Sequence, residues 1–187
     1  MSNTQSLTNH FLIAMPSLDD PNFQRTVTFI CEHNDDGALG IVINRPSEIT
    51  LGELLHHMDL SAGDAGTSSR AVYLGGPVQR ERGFVLHTAP QRWESSLQVS
   101  DRIAVSTSRD ILASIAAGDG PEEFLVALGY AGWGGGQLEE EMAQNAWLSG
   151  PADPAIIFHR PDDERWQAAA SLLGVDLRLL SSDAGHA

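Results

Sequence analysis

The sequence places a thiol and an imidazole two residues apart, at Cys31 and His33. On an extended strand, residues i and i+2 point to the same face, so these two groups could act as a nucleophile and its base. Val27 and Phe29 share that face, however, and free cysteine usually behaves as a small buried hydrophobe. We therefore predict that Cys31 packs in the core rather than reacts.

A hydroxyl-rich segment, Ser106–Asp110, stands where a predicted strand meets a predicted helix. Hydroxyl groups, free helix amides and the Arg109 guanidinium could converge there on an anionic ligand. The alternative is an ordinary helix start, in which Ser108 caps the helix, Asp110 complements its dipole and Arg109 points to solvent. The residues alone leave both interpretations open.

Three more polar side chains are candidates for the same pocket. Arg45 follows a predicted buried strand, Arg82 comes after the Gly75-Gly76 pair, and His87 lies on the next strand. Arginine presents a planar fork suited to carboxylate or phosphate. We predict that these groups gather with the hydroxyl segment around one cavity that binds negative charge.

Other motifs point away from cofactors. Gly129–Gly136 lies between a strand and a helix, as phosphate-binding loops do, but it lacks the spacing of either nucleotide-binding fingerprint. Residues 139–141 are all glutamate, so a phosphate at that helix start would be repelled. His56 and His57 are adjacent rather than one helical turn apart, which does not match zinc-ligand spacing. We predict no metal, no cofactor, and a sharp backbone turn at the glycines.

Composition is typical of one globular domain. The chain has 187 residues, of which 42% are hydrophobic, enough to build a core without disulfides. Its one cysteine cannot form an internal disulfide, and its N terminus lacks the pattern of a secretory signal. No apolar run approaches the roughly 20 residues of a membrane span. We expect a cytoplasmic protein that does not enter the membrane.

The charge balance disfavours direct nucleic-acid binding. The chain carries 11 basic residues against 25 acidic ones, for a formal net charge of −14. Proteins that neutralise DNA phosphates usually present a basic stripe, whereas the arginines here are scattered. Direct operator binding is therefore the weakest of the functions considered.

Hydrophobic patterning predicts a single α+β domain with a hairpin turn at residues 34–37. The predicted strands are residues 11–15, 26–33, 39–43, 71–74, 84–88, 103–107, 124–130, 155–158 and, as an edge strand, 177–180. The predicted helices are residues 50–58, 108–117, 137–148 and 161–173. Residues 1–9 are predicted to be a disordered leader and residues 61–69 a mobile loop.

Six ordered blocks of the chain resemble the AlgH/YqgE family of bacterial proteins, and the similarity runs essentially from end to end. The blocks are HFLIAMPSLDDPNF (10–23), CEHNDDGALGIVINRP (31–46), GGPVQRERGFVLHT (75–88), STSRD (106–110), LGYAGWGGGQLEEEMAQNAWL (128–148) and PADPAIIF (151–158). The resemblance implies a compact domain with a bifurcated, partly barrel-like mixed sheet flanked by helices, and a cytosolic location. The triple glycine 134–136 is richer in glycine than the usual family turn.

The residues of the family motifs, together with those named above, define two predicted sites. The predicted ligand-binding residues are Asn44, Arg45, Arg82, His87, Ser106, Thr107, Ser108 and Arg109. A second predicted surface consists of Trp133, Gln137, Glu139 and Asn145.

The residues and the family resemblance are compatible with three functions. Members of the family are often labelled transcriptional regulators, but neither the family pattern nor this sequence contains a DNA-binding element. The leading hypothesis is a regulatory or adaptor domain that binds a small anionic ligand or a protein partner, with an indirect link to transcription. The alternatives are an enzyme that uses His87 or His33 as base with Arg82 or Arg109 as an electrostatic clamp, and the disfavoured direct DNA-binding regulator.

Overall fold

The computed structural model describes residues 6–89 and 93–184. Its strands are β1 (His10–Ala14), β2 (Val27–Asn34), β3 (Gly37–Val42), β4 (Pro46–Thr50), β5 (Ala71–Leu74), β6 (Val78–Thr88), β7 (Ser96–Gln98), β8 (Ile103–Ser106), β9 (Phe124–Gly134) and β10 (Trp147–Pro151). Its helices are α1 (Leu51–His57), α2 (Ala65–Ser68), α3 (Arg109–Ala117), α4 (Gln137–Ala143), α5 (Pro154–Phe158), α6 (Arg165–Ser171) and α7 (Leu177–Ala184), with a 3-10 turn at Asp162–Glu164.

The strands form one mixed sheet that branches at β9. The main order is β10-β1-β2-β3-β9-β6-β8-β7, while β5 pairs with both β4 and β9. The second half of β9 is antiparallel to β3. Its first half is antiparallel to β6, and it runs parallel to β5 where Tyr73 lies opposite Ala127. The α+β class and the bifurcated, partly barrel-like sheet are thus confirmed.

A glycine in the middle of β9 makes this branching possible. Gly129 has a φ of 79°, a conformation that residues with a Cβ rarely adopt. A Cβ added there would lie only 2.5 Å from the Gly76 carbonyl oxygen. The absence of a side chain lets the chain change partners without ending the strand. The strand predicted for 124–130 consequently continues to Gly134.

Alternating side chains on the strands supply cores on both sides of the sheet. On β2, Val27, Phe29 and Cys31 face a cluster that residues of α5, α6 and α7 cover, whereas Ile30 belongs to a cluster on the other face. Fully burying a side chain of this size contributes about 1.5–3 kcal/mol. The strands are therefore fixed from both faces.

Helices α1 and α3 cover the other face near β6 and β9. The predicted capping box is present, because the Glu53 amide donates to Thr50 Oγ1 and the Thr50 amide donates to Glu53 Oε1, each at 3.2 Å. At the other helix, Gly118 ends α3 with a φ of 86°. Leu55 and Ile111 bury these helices in a shared cluster. This cluster positions the site described below.

Two strands predicted near the C terminus are wrong. Residues 155–158 form α5, because Pro154 occupies the first helical turn and the Asp153 side chain accepts a 3.0 Å hydrogen bond from the Ala155 amide. The predicted edge strand 177–180 lies in α7. Just before that helix, Asp176 Oδ1 accepts from the Arg178 amide at 3.0 Å. In both places the hydrogen bonds at the start of a helix outweigh the tendency of the apolar residues to form a strand.

The helix predicted for residues 137–148 is too long. Helix α4 ends at Ala143, and Asn145 has a φ of 61°, which is incompatible with its continuation. Trp147 begins β10 and pairs with Ala14 of β1. The Trp147 side chain is buried as predicted, but it extends from a strand.

Two predicted irregular segments contain defined structure. The predicted leader, residues 1–9, lies partly outside the described residues, and within it the Leu7 amide donates to His33 Nδ1 at 2.9 Å. The segment 61–69, predicted as a loop, contains α2, which Asp64 caps. In residues 6–89 and 93–184, no helix has the length and apolarity that a membrane crossing requires.

Candidate functional site

A cleft of about 400 Å³ lies between α1 and α3, above β6 and β9. Pockets for small organic molecules typically fall in the range of about 300–1,000 Å³. Its lining consists of Leu54, His57, Met58, Glu81, Gly83, Val85, Ser106, Thr107, Ser108, Arg109, Leu112 and Leu128. We call it the α1/α3 cleft. It contains four of the eight predicted ligand-binding residues, Ser106 to Arg109.

The cleft combines an apolar wall with a polar end. Leucine, valine and methionine side chains supply the wall, while Arg109, His57, Glu81 and the hydroxyl-bearing residues supply the polar surface. The Arg109 guanidinium does not point freely to solvent, because its Nη2 donates to the Met58 carbonyl at 2.8 Å. This bond joins the start of α3 to the end of α1. It also fixes one cationic group at the rim of the cleft.

The start of α3 differs from an ordinary serine cap. Ser108 occupies the cap position, but its hydroxyl donates to Asp110 Oδ1 at 2.5 Å and accepts from the Ser95 amide at 2.9 Å. Asp110 Oδ2 accepts from the Glu94 amide at 2.7 Å. The desolvation that raises the pKa of Asp110 is outweighed by these hydrogen bonds, which hold it below its usual value. Residues 94–95 are thereby tied to the cleft rim.

Behind the cleft, His87 and Ser106 form a buried hydrogen-bonded pair across β6 and β8. The His87 side chain is 0% exposed, and its Nε2 lies 2.7 Å from Ser106 Oγ. Its Nδ1 lies 3.0 Å from the Thr88 carbonyl, which can only accept, so Nδ1 carries the proton and Nε2 accepts from Ser106. Burial lowers the pKa of His87, although the Thr88 hydrogen bond opposes this shift. The imidazole is therefore neutral near pH 7.

This geometry permits two chemical roles for Ser106. A serine hydroxyl that donates to a neutral imidazole is a nucleophile with its base in place. Ser106 is also fully buried, and its Oγ lies 2.6 Å from Ser96 Oγ, which occupies a second hydrogen-bonding direction. The same contacts therefore form a polar network that joins β6, β8 and β7.

Arg82 does not reach the cleft, although its neighbours do. Glu81, Gly83 and Val85 line the cleft, and side chains alternate along a strand, so Arg82 lies on the opposite face. There the Arg82 guanidinium carbon is 5.4 Å from the centre of the Phe84 ring. The predicted convergence of Arg45, Arg82 and Arg109 is wrong.

The side chains of Asn44 and Arg45 form hydrogen bonds with the backbone of neighbouring segments. Asn44 Oδ1 accepts from the Val27 amide at 2.9 Å, and its Nδ2 donates to the Arg25 carbonyl at 2.8 Å. The Arg45 guanidinium donates to three backbone carbonyls of the 20–25 loop, those of Pro21, Asn22 and Gln24. Neither residue lines the α1/α3 cleft.

The second predicted surface is organised by a residue that the sequence analysis missed, Glu141. Its carboxylate accepts from the indole nitrogens of Trp133 at 3.1 Å and Trp147 at 2.9 Å, and from Gln137 Nε2 at 3.0 Å. Both indoles are buried, and Phe23 contacts both rings. The cluster fastens α4 to the sheet. The signal was the four-residue spacing between Gln137 and Glu141, which places both on one helix face.

The other two residues of that surface lie apart from the Glu141 cluster. Glu139 Oε2 is 3.4 Å from the Nε2 atom of the buried His33 ring, and Asn145 is exposed in the turn after α4. His33 Nδ1 already accepts from the Leu7 amide, so the ring connects α4 with the chain before β1.

Cys31 is a core residue, as predicted. Its side chain is 2% exposed, and its pKa is raised well above the usual value by burial and, secondarily, by the charge of Glu32. Among the residues that the structure describes, no group of three or more His, Cys, Asp or Glu side chains could hold a metal ion.

Comparisons with known proteins place these features in a family. The AlgH-like family model matches residues 11–178. A UPF0301 protein of Thioalkalivibrio sulfidiphilus is 58% identical over 187 residues, covering 100% of each chain, and a UPF0301 protein of Nitrosococcus oceani is 58% identical over 179 residues, covering 96% of each.

Solved structures agree with the fold. The solution structure of the AlgH protein from Pseudomonas aeruginosa superposes with a TM-score of 0.81 at 52% identity, over 100% of this chain and 99% of that one. A crystal structure of a Corynebacterium diphtheriae protein has a TM-score of 0.75 at 20% identity, over 97% of this chain and 94% of that one, and supports the fold alone.

Proposed function

The chain belongs to the AlgH-like family, and on that premise we propose that it is a non-enzymatic regulatory or adaptor domain whose α1/α3 cleft binds a small organic anion. The observation that carries the proposal is the composition of the cleft, where the Arg109 guanidinium stands beside an apolar wall of suitable size. Such a surface fits a ligand with an apolar body and one carboxylate or phosphate group.

The position of the cleft supports a regulatory role. It lies between two helices that are joined by the hydrogen bond from Arg109 to the Met58 carbonyl. A ligand bound at Arg109 would therefore affect this hydrogen bond. A ligand that binds one arrangement of α1 and α3 better than another shifts the population between them. The face formed by α1 and α3 would then present a ligand-dependent surface to a protein partner.

We propose that any link to transcription is indirect and that the protein acts in the cytoplasm. A net charge of −14 opposes approach to DNA phosphates, which supports action through a partner rather than an operator. The single buried cysteine is typical of a reducing compartment. A gel-shift experiment at low salt tests the first point, because retardation of an operator fragment would contradict it.

The test of ligand binding is a thermal-shift screen of small organic carboxylates and phosphates. A ligand present at 100 times its Kd stabilises the folded protein by about 2.7 kcal/mol. Arg109→Gln should weaken binding of a hit at least tenfold, whereas Arg102→Gln, an exposed arginine outside the cleft, should bind like the wild type. Equal affinity in all three proteins would contradict the proposed site.

A second candidate function, ester or thioester hydrolysis by Ser106, is favoured by the 2.7 Å distance between Ser106 Oγ and His87 Nε2. In this reaction Ser106 Oγ attacks the substrate carbonyl and its proton passes to His87. The leaving group takes that proton, and water then releases the acyl group from Ser106.

A fluorophosphonate probe separates the two functions. Hydrolysis predicts covalent labelling of Ser106 that is lost in His87→Gln, with Ser95→Ala as a labelled control. Absence of labelling in the folded wild type would contradict the hydrolase and agree with a purely structural Ser106–His87 pair.

A further inference from the structure

A second cavity, of about 120 Å³, lies between β5, the start of β9, α5 and α6, and it shares no lining residue with the α1/α3 cleft. Two arginines, Arg70 and Arg165, line it together with the Tyr73 ring and apolar groups. No acidic residue lines it. We call this cavity the two-arginine pocket. Its volume equals that of about four water molecules in the liquid.

Arg165 is almost fully buried, and hydrogen bonds hold its guanidinium group in place. Its side chain is 6% exposed, its Nη1 donates to the Ile43 carbonyl, and its Nε donates to the Arg160 carbonyl at 3.0 Å. Its guanidinium carbon lies 5.1 Å from the centre of the Tyr73 ring. Within residues 6–89 and 93–184, no group accepts a hydrogen bond from Arg165 Nη2 and no carboxylate pairs with the guanidinium.

Arg70 approaches the same pocket from the exposed side. Its Nη2 donates to the Phe124 carbonyl at 2.6 Å, and its guanidinium carbon is 3.9 Å from the centre of the Phe124 ring. Burial lowers the pKa of Arg70; the charge interaction with Tyr73 opposes this shift, and the positive charge of Arg165 adds to it. In the described part of the chain, Arg70 has no ion pair either.

Two fixed guanidinium groups without a counter-ion are unusual in a protein with a net charge of −14. Like charges disfavour each other most where water is partly excluded, and buried charges are ordinarily paired. The carbonyl bonds and aromatic contacts orient both groups without neutralising them. An anion that entered the pocket would meet free N–H donors from both sides.

We propose that the two-arginine pocket binds a phosphoryl group, either as inorganic phosphate or as the terminal group of a phosphomonoester. A planar carboxylate is satisfied by one arginine fork, whereas a tetrahedral phosphate offers oxygens in several directions. Arg70 and Arg165 contribute from different elements of the fold, and the Tyr73 side chain also lines the pocket, so the site matches the tetrahedral group better. This site is independent of the ligand proposed for the α1/α3 cleft.

The experiment is isothermal titration with inorganic phosphate and, separately, with glycerol 3-phosphate, at ionic strength matched with sodium chloride. The wild type should bind at least one of these probes more tightly than acetate, and the probe that binds identifies the source of the phosphoryl group. Arg70→Gln should weaken binding at least tenfold, because it removes one charged fork at an exposed position. Tyr73→Phe should weaken binding by a smaller factor.

Two controls keep the test decisive. Arg82→Gln removes an exposed arginine that also lies over an aromatic ring but lines no phosphate pocket, so it should bind phosphate like the wild type. Chemical shifts of the Arg70 and Arg165 side-chain N–H groups should move on titration. The proposal is overturned if neither inorganic phosphate nor glycerol 3-phosphate binds, or if Arg70→Gln binds the active probe as tightly as Arg82→Gln does. These outcomes leave the cleft proposal unaffected, because Arg109 is not altered.

Discussion

Replacing Glu141 with alanine should strongly destabilise the protein. The substitution removes the acceptor of two indole N–H groups, which lie 3.1 and 2.9 Å from Oε1, and of the Gln137 amide at 3.0 Å from Oε2. The Trp133 and Trp147 side chains are 6% and 4% exposed, so their N–H groups lose most access to replacement acceptors.

The size of the effect follows from these contacts. A hydrogen bond to a charged group contributes about 1.5–3 kcal/mol, and a buried donor left unsatisfied adds its desolvation penalty. Two such donors, offset by water that enters at the half-buried carboxylate, give an expected loss of about 3–5 kcal/mol in the free energy of unfolding. Domains of this kind have about 5–15 kcal/mol in total, so the variant should be marginal.

Urea denaturation measures this loss, with tryptophan fluorescence and far-ultraviolet circular dichroism as parallel probes. Glu140→Ala is the matched control, because Glu140 is exposed on the same helix and its substitution should change stability by less than about 0.5 kcal/mol. Glu141→Gln, which keeps one acceptor oxygen, should lie between the two. If Glu141→Ala and Glu140→Ala unfold at the same urea concentration, the structural role of the carboxylate is refuted.

Three further predictions concern buried groups. Burial lowers the pKa of His87, so as the pH falls below about 6.5 the unfolded chain takes up a proton before the folded chain does, and the free energy of unfolding should decrease. Urea midpoints measured against pH should decline less steeply in His87→Gln than in the wild type. An unchanged slope would contradict this. Burial raises the pKa of Cys31, so a disulfide reagent should modify it only at the rate of unfolding, and fast modification of the native protein would be inconsistent with its packing. Gly129→Ala should lose about 2–4 kcal/mol through strain at positive φ, whereas Gly63→Ala, whose Cβ would meet no atom within 4 Å, should be nearly neutral in the same denaturation assay.

Local chemistry made much of the fold predictable. The capping box at Thr50 and Glu53, the hairpin at 34–37 and the alternation of Val27, Phe29 and Cys31 each depend on neighbours within a few residues. The errors at 155–158 and 177–180 are also local. The apolar runs in these segments favour strands, but the side chains that precede them form hydrogen bonds that start helices.

The candidate site was predictable only in part, because it depends on register between distant strands. Ser106–Asp110 does lie at a strand end and a helix start, and residues 106–109 line a cleft. The partnership of His87 with Ser106 requires that β6 and β8 pair in one particular register, which no local pattern specifies. The position predicted for Arg82 is wrong because side chains alternate along β6, and this alternation puts Arg82 on the face opposite to Gly83 and the cleft.

The proposed function depends on the binding of a small organic anion at Arg109 in the α1/α3 cleft. Its most direct test is heteronuclear NMR of the labelled protein titrated with the best hit of the screen, because amide shifts report where the ligand lies. Shifts should be concentrated at Leu54, Met58 and residues 106–112, with the Arg109 side chain among the groups that move most. Shifts confined to other surfaces, or unchanged in Arg109→Gln, would contradict it.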